Sequence, residues 1–321
     1  MRNFVDYYIK FAEYLDHIND SAKHAPGELI NQTEKIYNKR IDEIAEFIIS
    51  HGAPGNKVVM LAGPSSSGKT TTAIMMCEAM KSRGTNAVRI SLDNFFRASD
   101  LVPPLPNGER DYESINTLDI PLLNECLIDL IKKGRADLPK YDFSTGRPVS
   151  KRFPMELGGN DVVVVEGIHA LNPAVTECLP DERMAKVYIS VKQGIFDGDS
   201  EVITSQHIRL IRRLVRDKLF RSASAEHTFS MWKGVLKGEQ ENIYPNKRFA
   251  NITINSLHIY EVGVMAPILM PILKEITPES KHYPMAEKLI SELARFEPID
   301  QSLVPEESLI REFIGGNKRK Y

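Results

Sequence analysis

The chain has 321 residues, of which 42% are hydrophobic and 26% are charged, the balance of a soluble globular protein with one large domain or two small ones. A formal net charge of −2 provides no global basic field for nucleic acid, and no apolar run is long enough for a membrane span. Three widely spaced cysteines, Cys77, Cys126 and Cys178, argue against a disulfide framework or a zinc site and predict a cytoplasmic protein.

The first 55 residues are predicted to form a helical extension. Apolar residues recur there at helical spacing, and the sequence HGAPGN at 51–56 interrupts the pattern. The members of this apolar set are Ile36, Ile41, Ile44, Phe47 and Ile48.

Five short apolar runs predict buried strands, and helical patterns lie between them. The runs are KVVMLAG (57–63), AVRISLD (87–93), DVVVVEG (161–167), AKVYISV (185–191) and ANITINS (250–256). The intervening helices are expected from Lys69 to about Arg83, near 117–133 and through 204–221. Strands that alternate with helices predict an α/β fold, with a parallel sheet covered on both faces.

No clean linker divides the chain, so we expect one α/β domain with insertions and helical extensions. The core of this domain is expected to span 56–260, with an irregular insertion at 100–155 that is rich in Pro, Gly and charge. Residues 261–321 are expected to form a C-terminal helical extension of the same domain.

The sequence GPSSSGKT satisfies the pattern G-x-x-x-x-G-K-[ST] and lies between a predicted strand and a predicted helix. Its residues, together with the following threonine, are Gly63, Pro64, Ser65, Ser66, Ser67, Gly68, Lys69, Thr70 and Thr71. In such a loop the backbone N–H groups face phosphates, Lys69 reaches the β and γ phosphates, and the Thr70 hydroxyl binds Mg²⁺. A serine-rich turn that matches by chance is the alternative, and the strand and helix on either side disfavour it.

Two acidic residues stand where predicted strands end. Asp93 closes the second strand and Glu166 closes the third, so both are expected at the sheet edge that carries the phosphate loop. We assign Asp93 as the general base toward an attacking hydroxyl, and Glu166 to the Mg²⁺ shell with Thr70. Structural alternatives are a turn residue for Asp93 and a salt-bridged strand end for Glu166.

The predicted helix at 204–221 carries a stripe of arginines beside an apolar face. The stripe consists of Arg209, Arg212, Arg213 and Arg216. Arginine binds phosphate oxygens bidentately, so we interpret 204–240 as a lid over the transferred phosphoryl group rather than as a solvated basic face.

The motifs GPSSSGKTT, ISLDNFF, YDFSTGR, VVVVEGIHALNP, IRLIRRLVRD and SAEHTF occur in the order typical of the uridine kinase and phosphoribulokinase family. The chain resembles this family over about residues 25–316. The closing SLIREFIGG is similar to a branch of bacterial uridine kinase-like nucleoside kinases, some of which carry a preceding threonyl-tRNA-synthetase-like module. The chain is expected to be the kinase part that follows such a module.

The resemblance implies a P-loop kinase fold with a five-stranded parallel sheet of order 2-3-1-4-5. It implies MgATP or MgGTP as phosphoryl donor and the 5′-hydroxyl of a nucleoside, uridine or cytidine, as acceptor. By the same resemblance Asp93 is both the base and a ribose ligand. The other implied substrate residues are Phe96, Glu113, Tyr141 and Arg209. By resemblance Arg216 and Arg221 fall in the lid, and Arg212 of the arginine stripe is assigned to the lid with them.

Two positions depart from the family pattern and bear on the acceptor. The histidine that reads the pyrimidine in uridine kinases corresponds to Gly146 here, and Arg147 follows it. A glutamate, Glu113, stands near the position of a ribose-binding aspartate. Arg147 could contact a charged or differently shaped acceptor, or it could be a surface loop residue.

Three other functions remain in view. A GTPase switch needs an N-K-x-D motif, and the nearest match, at 246–249, lacks the aspartate. The others are an ATP-binding regulatory module and a phosphoribulokinase-like kinase of another small hydroxyl compound. For partners, we expect a small-molecule substrate without nucleic acid or membrane, and a homo-oligomer stays open.

Overall fold

The computed structural model describes residues 14–102, 111 and 113–319. Its strands are β1 (Lys57–Ala62), β2 (Ala87–Ser91), β3 (Arg135–Leu138), β4 (Tyr141–Asp142), β5 (Arg147–Pro148), β6 (Phe153–Glu156), β7 (Val162–Glu166), β8 (Met184–Ser190), β9 (Ile195–Asp197), β10 (Ser200–Ile203) and β11 (Ile252–Asn255). Its helices are α1 (Leu15–His24), α2 (Pro26–Ser50), α3 (Lys69–Lys81), α4 (Ile120–Lys133), α5 (Pro173–Thr176), α6 (Ser205–Phe220), α7 (Ala225–Gly238), α8 (Tyr244–Lys247), α9 (Glu261–Lys274), α10 (Tyr283–Leu293) and α11 (Arg311–Ile314).

The central sheet has five parallel strands in the order β2-β7-β1-β8-β11. Numbered among themselves along the chain, these strands run 2-3-1-4-5, which confirms the predicted order. Glu166 pairs in register with Leu61 of β1 on one side and with Ser91 of β2 on the other. The carboxyl ends of the three strands therefore meet at one edge, where ligands bind in open parallel sheets.

Two apolar layers cover the sheet. Val59 and Leu61 face a layer that contains α2, α3, α6 and α9, whereas Val58 and Met60 face the layer of α4 and α5. Because a strand points successive side chains to opposite faces, burial on both faces requires continuous apolar runs such as VVVV in β7. The N- and C-terminal helices contribute to the first layer, so they share its core with the sheet.

Some details differ from the sequence-based expectations. Strand β2 ends at Ser91, and Asp93 lies in the following 3₁₀ turn, Leu92–Phe95, rather than at the end of the strand. Ile36 is 52% exposed, so it is not part of the buried face of α2. The antiparallel hairpin of β9 and β10 was not predicted, because its alternating polar residues and short strands resemble a loop.

Helix α6 lies in the core. Nine of its 16 residues are buried, and it packs against α7, α9 and α11. Such packing argues against α6 itself moving as a lid, since motion would expose that apolar surface. The lid role of the rest of 204–240 stays a prediction. Across the described ranges, no helix combines the length and apolarity needed to cross a bilayer.

Candidate active site

The phosphate loop joins β1 to α3. Gly68 ends the loop in a left-handed conformation, with φ +85°, and α3 begins at Lys69. The Oγ atoms of Ser66 and Ser67 are buried, and neither has a hydrogen-bond partner in the part of the chain that the structure describes. Unpaired buried hydroxyls are costly, so a loop that holds two of them fits an oxygen-rich ligand such as a phosphate chain.

The Lys69 ammonium lies across its own loop and donates a hydrogen bond to the carbonyl oxygen of Pro64 at 3.0 Å. Burial lowers the pKa of Lys69, and the nearby carboxylates of Glu166 and Asp93 oppose that shift. The structure therefore brings the loop lysine into electrostatic range of both predicted acids, Asp93 and Glu166.

Glu166 is buried at the end of β7 and forms an ion pair with Arg89 of β2, Oε1 to Nη1, at 3.1 Å. This is the salt bridge that was considered as the structural alternative for Glu166. The pair does not neutralise the site completely, because burial and the neighbouring Asp93 charge still raise the pKa of Glu166. A buried carboxylate whose pKa is raised by a neighbouring carboxylate is suited to bind a cation.

Asp93 lies in the 3₁₀ turn after β2, where its side chain stays in contact with solvent. The surrounding protein nevertheless raises the pKa of Asp93, mainly by desolvation, while Lys69 acts to lower it. A carboxylate with a raised pKa is a stronger base, provided that it is ionised at the working pH.

Glu113 lies beside the end of α7. Its side chain lies so close to α7 that a Cβ added at Gly238 would come within 2.5 Å of the Glu113 Cβ. Burial raises the pKa of Glu113 to about 7, and the charges of Lys69 and Arg213 oppose that rise. The substrate residue implied by resemblance is thus near the loop lysine, as that role requires.

Arg209 and Arg212 of α6 both contact the backbone of the phosphate loop. Each guanidinium forms a buried bidentate ion pair, Arg209 with Glu239 and Arg212 with Glu261. Their Nη1 atoms also donate to the carbonyls of Ser65 and Ser66, respectively, both at 3.2 Å.

Arg212 is fully buried, which is not the position of a lid arginine. The lid assignment of Arg212 is corrected to a support of the loop. Arg209 is 2% exposed, and its guanidinium is committed to Glu239 and the loop.

Three other arginines converge on one carboxylate. Asp217 is contacted by Arg213 at 3.3 Å, Arg216 at 3.0 Å and Arg221 at 3.4 Å. Arg213 also donates from Nη1 to Ser65 Oγ at 3.1 Å, which ties this cluster to the phosphate loop. One carboxylate facing three guanidiniums leaves excess positive charge there, as phosphoryl transfer needs.

The insertion brings aromatic rings together. Phe96 meets Tyr141 edge-on at 5.6 Å between ring centroids, and Phe143 lies 5.1 Å from Tyr141. Phe143 is 67% exposed, and it was not among the residues predicted for the site. The cluster fits a planar acceptor.

The loop at the position of the pyrimidine-reading histidine is shaped for glycine. Gly146 has φ +66°, and an added Cβ would lie 2.9 Å from Ser99 Oγ. The neighbouring Arg147 is exposed and pairs with Asp100 at 3.2 Å. Its surroundings match the surface-loop interpretation of Arg147 more closely than substrate contact.

No cluster of three or more His, Cys, Asp or Glu side chains arranged for a metal occurs within residues 14–102, 111 and 113–319. The oxygen donors near the loop, Thr70 and Glu166, suit Mg²⁺, which commonly takes only one or two carboxylates and completes its shell with phosphate oxygens and water.

Arg89, Arg213, Glu239 and Phe143 were not selected as site residues from the sequence. Arg213 belonged to the noted arginine stripe, so its spacing carried a signal. Glu239 had none, because its contact with Arg209 depends on how α6 and the end of α7 pack.

Comparison with known proteins agrees with this geometry. Residues 58–262 match the Phosphoribulokinase / Uridine kinase family. A uridine kinase from Lactobacillus johnsonii is 27% identical over 198 residues, which cover 61% of this chain and 85% of the relative. A uridine kinase from Deinococcus deserti is 30% identical over 198 residues, covering 61% and 86%.

Among solved structures, a possible uridine kinase from Bacillus stearothermophilus matches with a TM-score of 0.45 and 18% identity, over 67% of this chain and 97% of that one. The family match spans well over half of the chain and includes the phosphate loop, both acids and α6. The chain belongs to the Phosphoribulokinase / Uridine kinase family and is a kinase of that family.

Proposed function

We propose that the protein transfers the γ-phosphoryl group of ATP or GTP to the 5′-hydroxyl of a nucleoside, with uridine and cytidine as the first acceptors to test. The observation that carries the proposal is the phosphate loop before α3, whose Lys69 lies within electrostatic range of both Asp93 and Glu113. A phosphate-binding cation, a candidate base and a candidate ribose ligand thus belong to one region of the protein. The uridine kinase relatives support the acceptor class.

In this proposal Asp93 accepts the proton of the acceptor hydroxyl while the hydroxyl oxygen bonds to the γ-phosphorus. The bond between that phosphorus and the bridging oxygen breaks, and the nucleoside diphosphate leaves. Lys69 and the cluster of Arg213, Arg216 and Arg221 stabilise the negative charge on the moving group. Glu113 binds the ribose hydroxyls and so orients the attacking oxygen.

Mg²⁺ would be held by Thr70 and Glu166, where it would neutralise phosphate charge. The residues present fit that ion, because both supply oxygen and Glu166 lies beside a second carboxylate, Asp93, that raises its pKa.

The loop at Gly146 favours a second candidate, a kinase of a different small hydroxyl compound. A histidine at Gly146 would be strained, so the pyrimidine-reading contact of uridine kinases has no counterpart at that position. A phosphoribulokinase-like acceptor is therefore the alternative to test.

An acceptor panel with MgATP or MgGTP tests both. It should contain uridine, cytidine, purine nucleosides and pentose phosphates, with the phosphorylated product identified by mass spectrometry. Asp93→Asn serves as the control that should be inactive. Asp181→Asn makes the same substitution at an exposed acid that pairs with Lys186, and it should leave activity unchanged. Nucleotide binding without product from any acceptor would instead favour a regulatory module.

A further inference from the structure

The C-terminal segment, defined here as residues 305–319, lies on the phosphate loop. Leu309 is fully buried and fills the space beside Gly68, where an added Cβ would come within 2.6 Å of Leu309 Cδ1. Together with the positive φ of Gly68, this contact leaves room only for glycine. The loop is therefore shaped to receive this segment as well as a ligand.

One residue of the segment makes polar contact with the phosphate-binding machinery. Glu312 accepts a hydrogen bond on Oε2 from the Thr71 hydroxyl at 2.5 Å and from the Thr71 backbone N–H at 3.3 Å. This N–H belongs to the first turn of α3, where backbone donors have no partner within the helix. In a phosphate loop, such donors receive the α and β phosphates of the nucleotide.

The segment is anchored, so Glu312 is not on a free tail. Ser308 donates to Glu34 of α2 at 2.6 Å and lies 3.0 Å from the Tyr260 hydroxyl. Phe313 is fully buried, and the Cζ atom of Arg212 lies 5.1 Å from the centroid of the Phe313 ring. The main chain around Glu312 is thus fixed, while the carboxylate itself is only half-buried.

A carboxylate at a helix N-terminus is also an ordinary stabilising contact. Two features distinguish Glu312 from a simple cap. Its Oε2 atom accepts hydrogen bonds from both donors of Thr71, the backbone N–H and the hydroxyl, which a phosphate oxygen would also use. Its charge also acts on Lys69, the lysine assigned to the β and γ phosphates. A nucleotide phosphate and this carboxylate carry like charge and need the same donors.

We propose that Glu312 is an internal competitor of the nucleotide phosphates at Thr71. Nucleotide binds by displacing the carboxylate from Thr71, so the C-terminal segment lowers the affinity of the site for nucleotide. This inference rests on the proposed function only through the assignment of 63–71 as the phosphate loop.

Calorimetric titration of the full chain with MgADP, MgGDP and the corresponding nucleosides tests the proposal. Glu312→Gln keeps the size of the side chain and removes the repulsion, so the dissociation constant for the preferred diphosphate should fall roughly tenfold. Binding of adenosine or guanosine should stay unchanged, since neither carries a phosphate. Glu307→Gln is the matched control, because Glu307 lies in the same segment but pairs with Lys318 at the surface.

Glu312→Asp provides a second variant that keeps the charge but withdraws it by one methylene group. It should tighten diphosphate binding less than Glu312→Gln does, and thermal unfolding should show that both variants remain folded. If the wild type binds diphosphate and both variants bind it equally or more weakly, Glu312 is a structural cap and the inference is wrong. If neither the wild type nor the variants bind any nucleotide, the proposed function itself is overturned.

Discussion

The Lys69 ammonium donates a hydrogen bond to the carbonyl oxygen of Pro64, five residues earlier in the same loop, at 3.0 Å. The lysine therefore spans its own loop, and a phosphate oxygen can replace the Pro64 carbonyl as its acceptor. The exchange keeps the ammonium hydrogen-bonded in both states, which limits the cost of its partial burial.

Replacing this lysine tests the phosphate loop. Lys69→Ala should lower kcat about a thousandfold, because the charge on the moving phosphoryl group loses its nearest cation. Lys81→Ala on the exposed end of the same helix is the control and should keep full activity. Thermal unfolding should show both variants folded. Near wild-type turnover in Lys69→Ala would remove the basis of the kinase mechanism.

Replacement of Asp93 and of Glu166 should affect different steps of the reaction. Asp93→Asn keeps the shape but removes the base, so kcat should fall by about 10²–10⁴-fold while nucleotide affinity stays nearly constant. Glu166→Gln should instead raise the Mg²⁺ concentration needed for half-maximal activity. Steady-state kinetics at varied Mg²⁺ distinguishes the two outcomes. Unchanged kcat in Asp93→Asn with the true acceptor would make the assignment of the base wrong.

The five strands and the position of the phosphate loop could be predicted from sequence because both depend on local patterns, whereas the order of the strands came from the family resemblance. The loop has a fixed spacing of glycine, lysine and threonine, and the strands are continuous apolar runs between turn residues. Helix α6 was also predicted nearly to its ends, at 204–221 against Ser205–Phe220.

What could not be predicted depends on distant partners. The arginine stripe on α6 gave no means to separate Arg212 from Arg213, because the difference lies in Glu261, 49 residues later. The contact of Glu312 with Thr71 spans 241 residues and leaves no local pattern. Asp93 was placed at a strand end because the Leu92–Phe95 turn continues the apolar run of β2.

Arg212 and Arg213 should therefore respond differently to removal. Arg212→Ala leaves Glu261 buried without its cation and should destabilise the fold by about 3–5 kcal/mol. Arg213→Ala removes a half-buried side chain whose Asp217 partner keeps two other arginines, so the fold should persist. Its kcat should instead fall about a hundredfold. Denaturant unfolding and turnover should be measured on both variants. An equal loss of stability in the two would contradict the distinction between a structural Arg212 and a catalytic Arg213.

Gly146 should resist the residue that uridine kinases carry at this position. Gly146→His places a side chain at φ +66° and against Ser99, so stability should fall by roughly 1–2 kcal/mol from the backbone alone. We expect no gain in kcat/KM for uridine. Gly84→His is the matched control, since Gly84 has φ +79° but open space around it. If Gly146→His were no less stable than Gly84→His and raised uridine kcat/KM, the loop would not restrict the acceptor.

Glu113 should give the pH dependence of the free enzyme. Its pKa of about 7 means that below pH 7 the carboxyl is protonated and accepts ribose hydroxyls poorly. Therefore kcat/KM should rise with pH, by up to about tenfold per unit below pH 7, and level off above it. Glu113→Gln should lower kcat/KM and remove this slope, and any slope that remains belongs to Asp93 or Glu166, whose pKa values are also raised.

Stability should show the opposite trend, and this provides an independent check of the same group. The folded pKa of Glu113, about 7, lies above its ordinary value of 4.5, so the folded state binds this proton more strongly than the unfolded state. The unfolding free energy contributed by Glu113 is full below pH 4.5 and declines as pH rises toward 7. Glu113→Gln cannot lose that proton, so its stability relative to the wild type should increase across this window. Parallel stability profiles for the two proteins would show that the Glu113 pKa is not raised by folding, and the slope of kcat/KM would then need another titrating group.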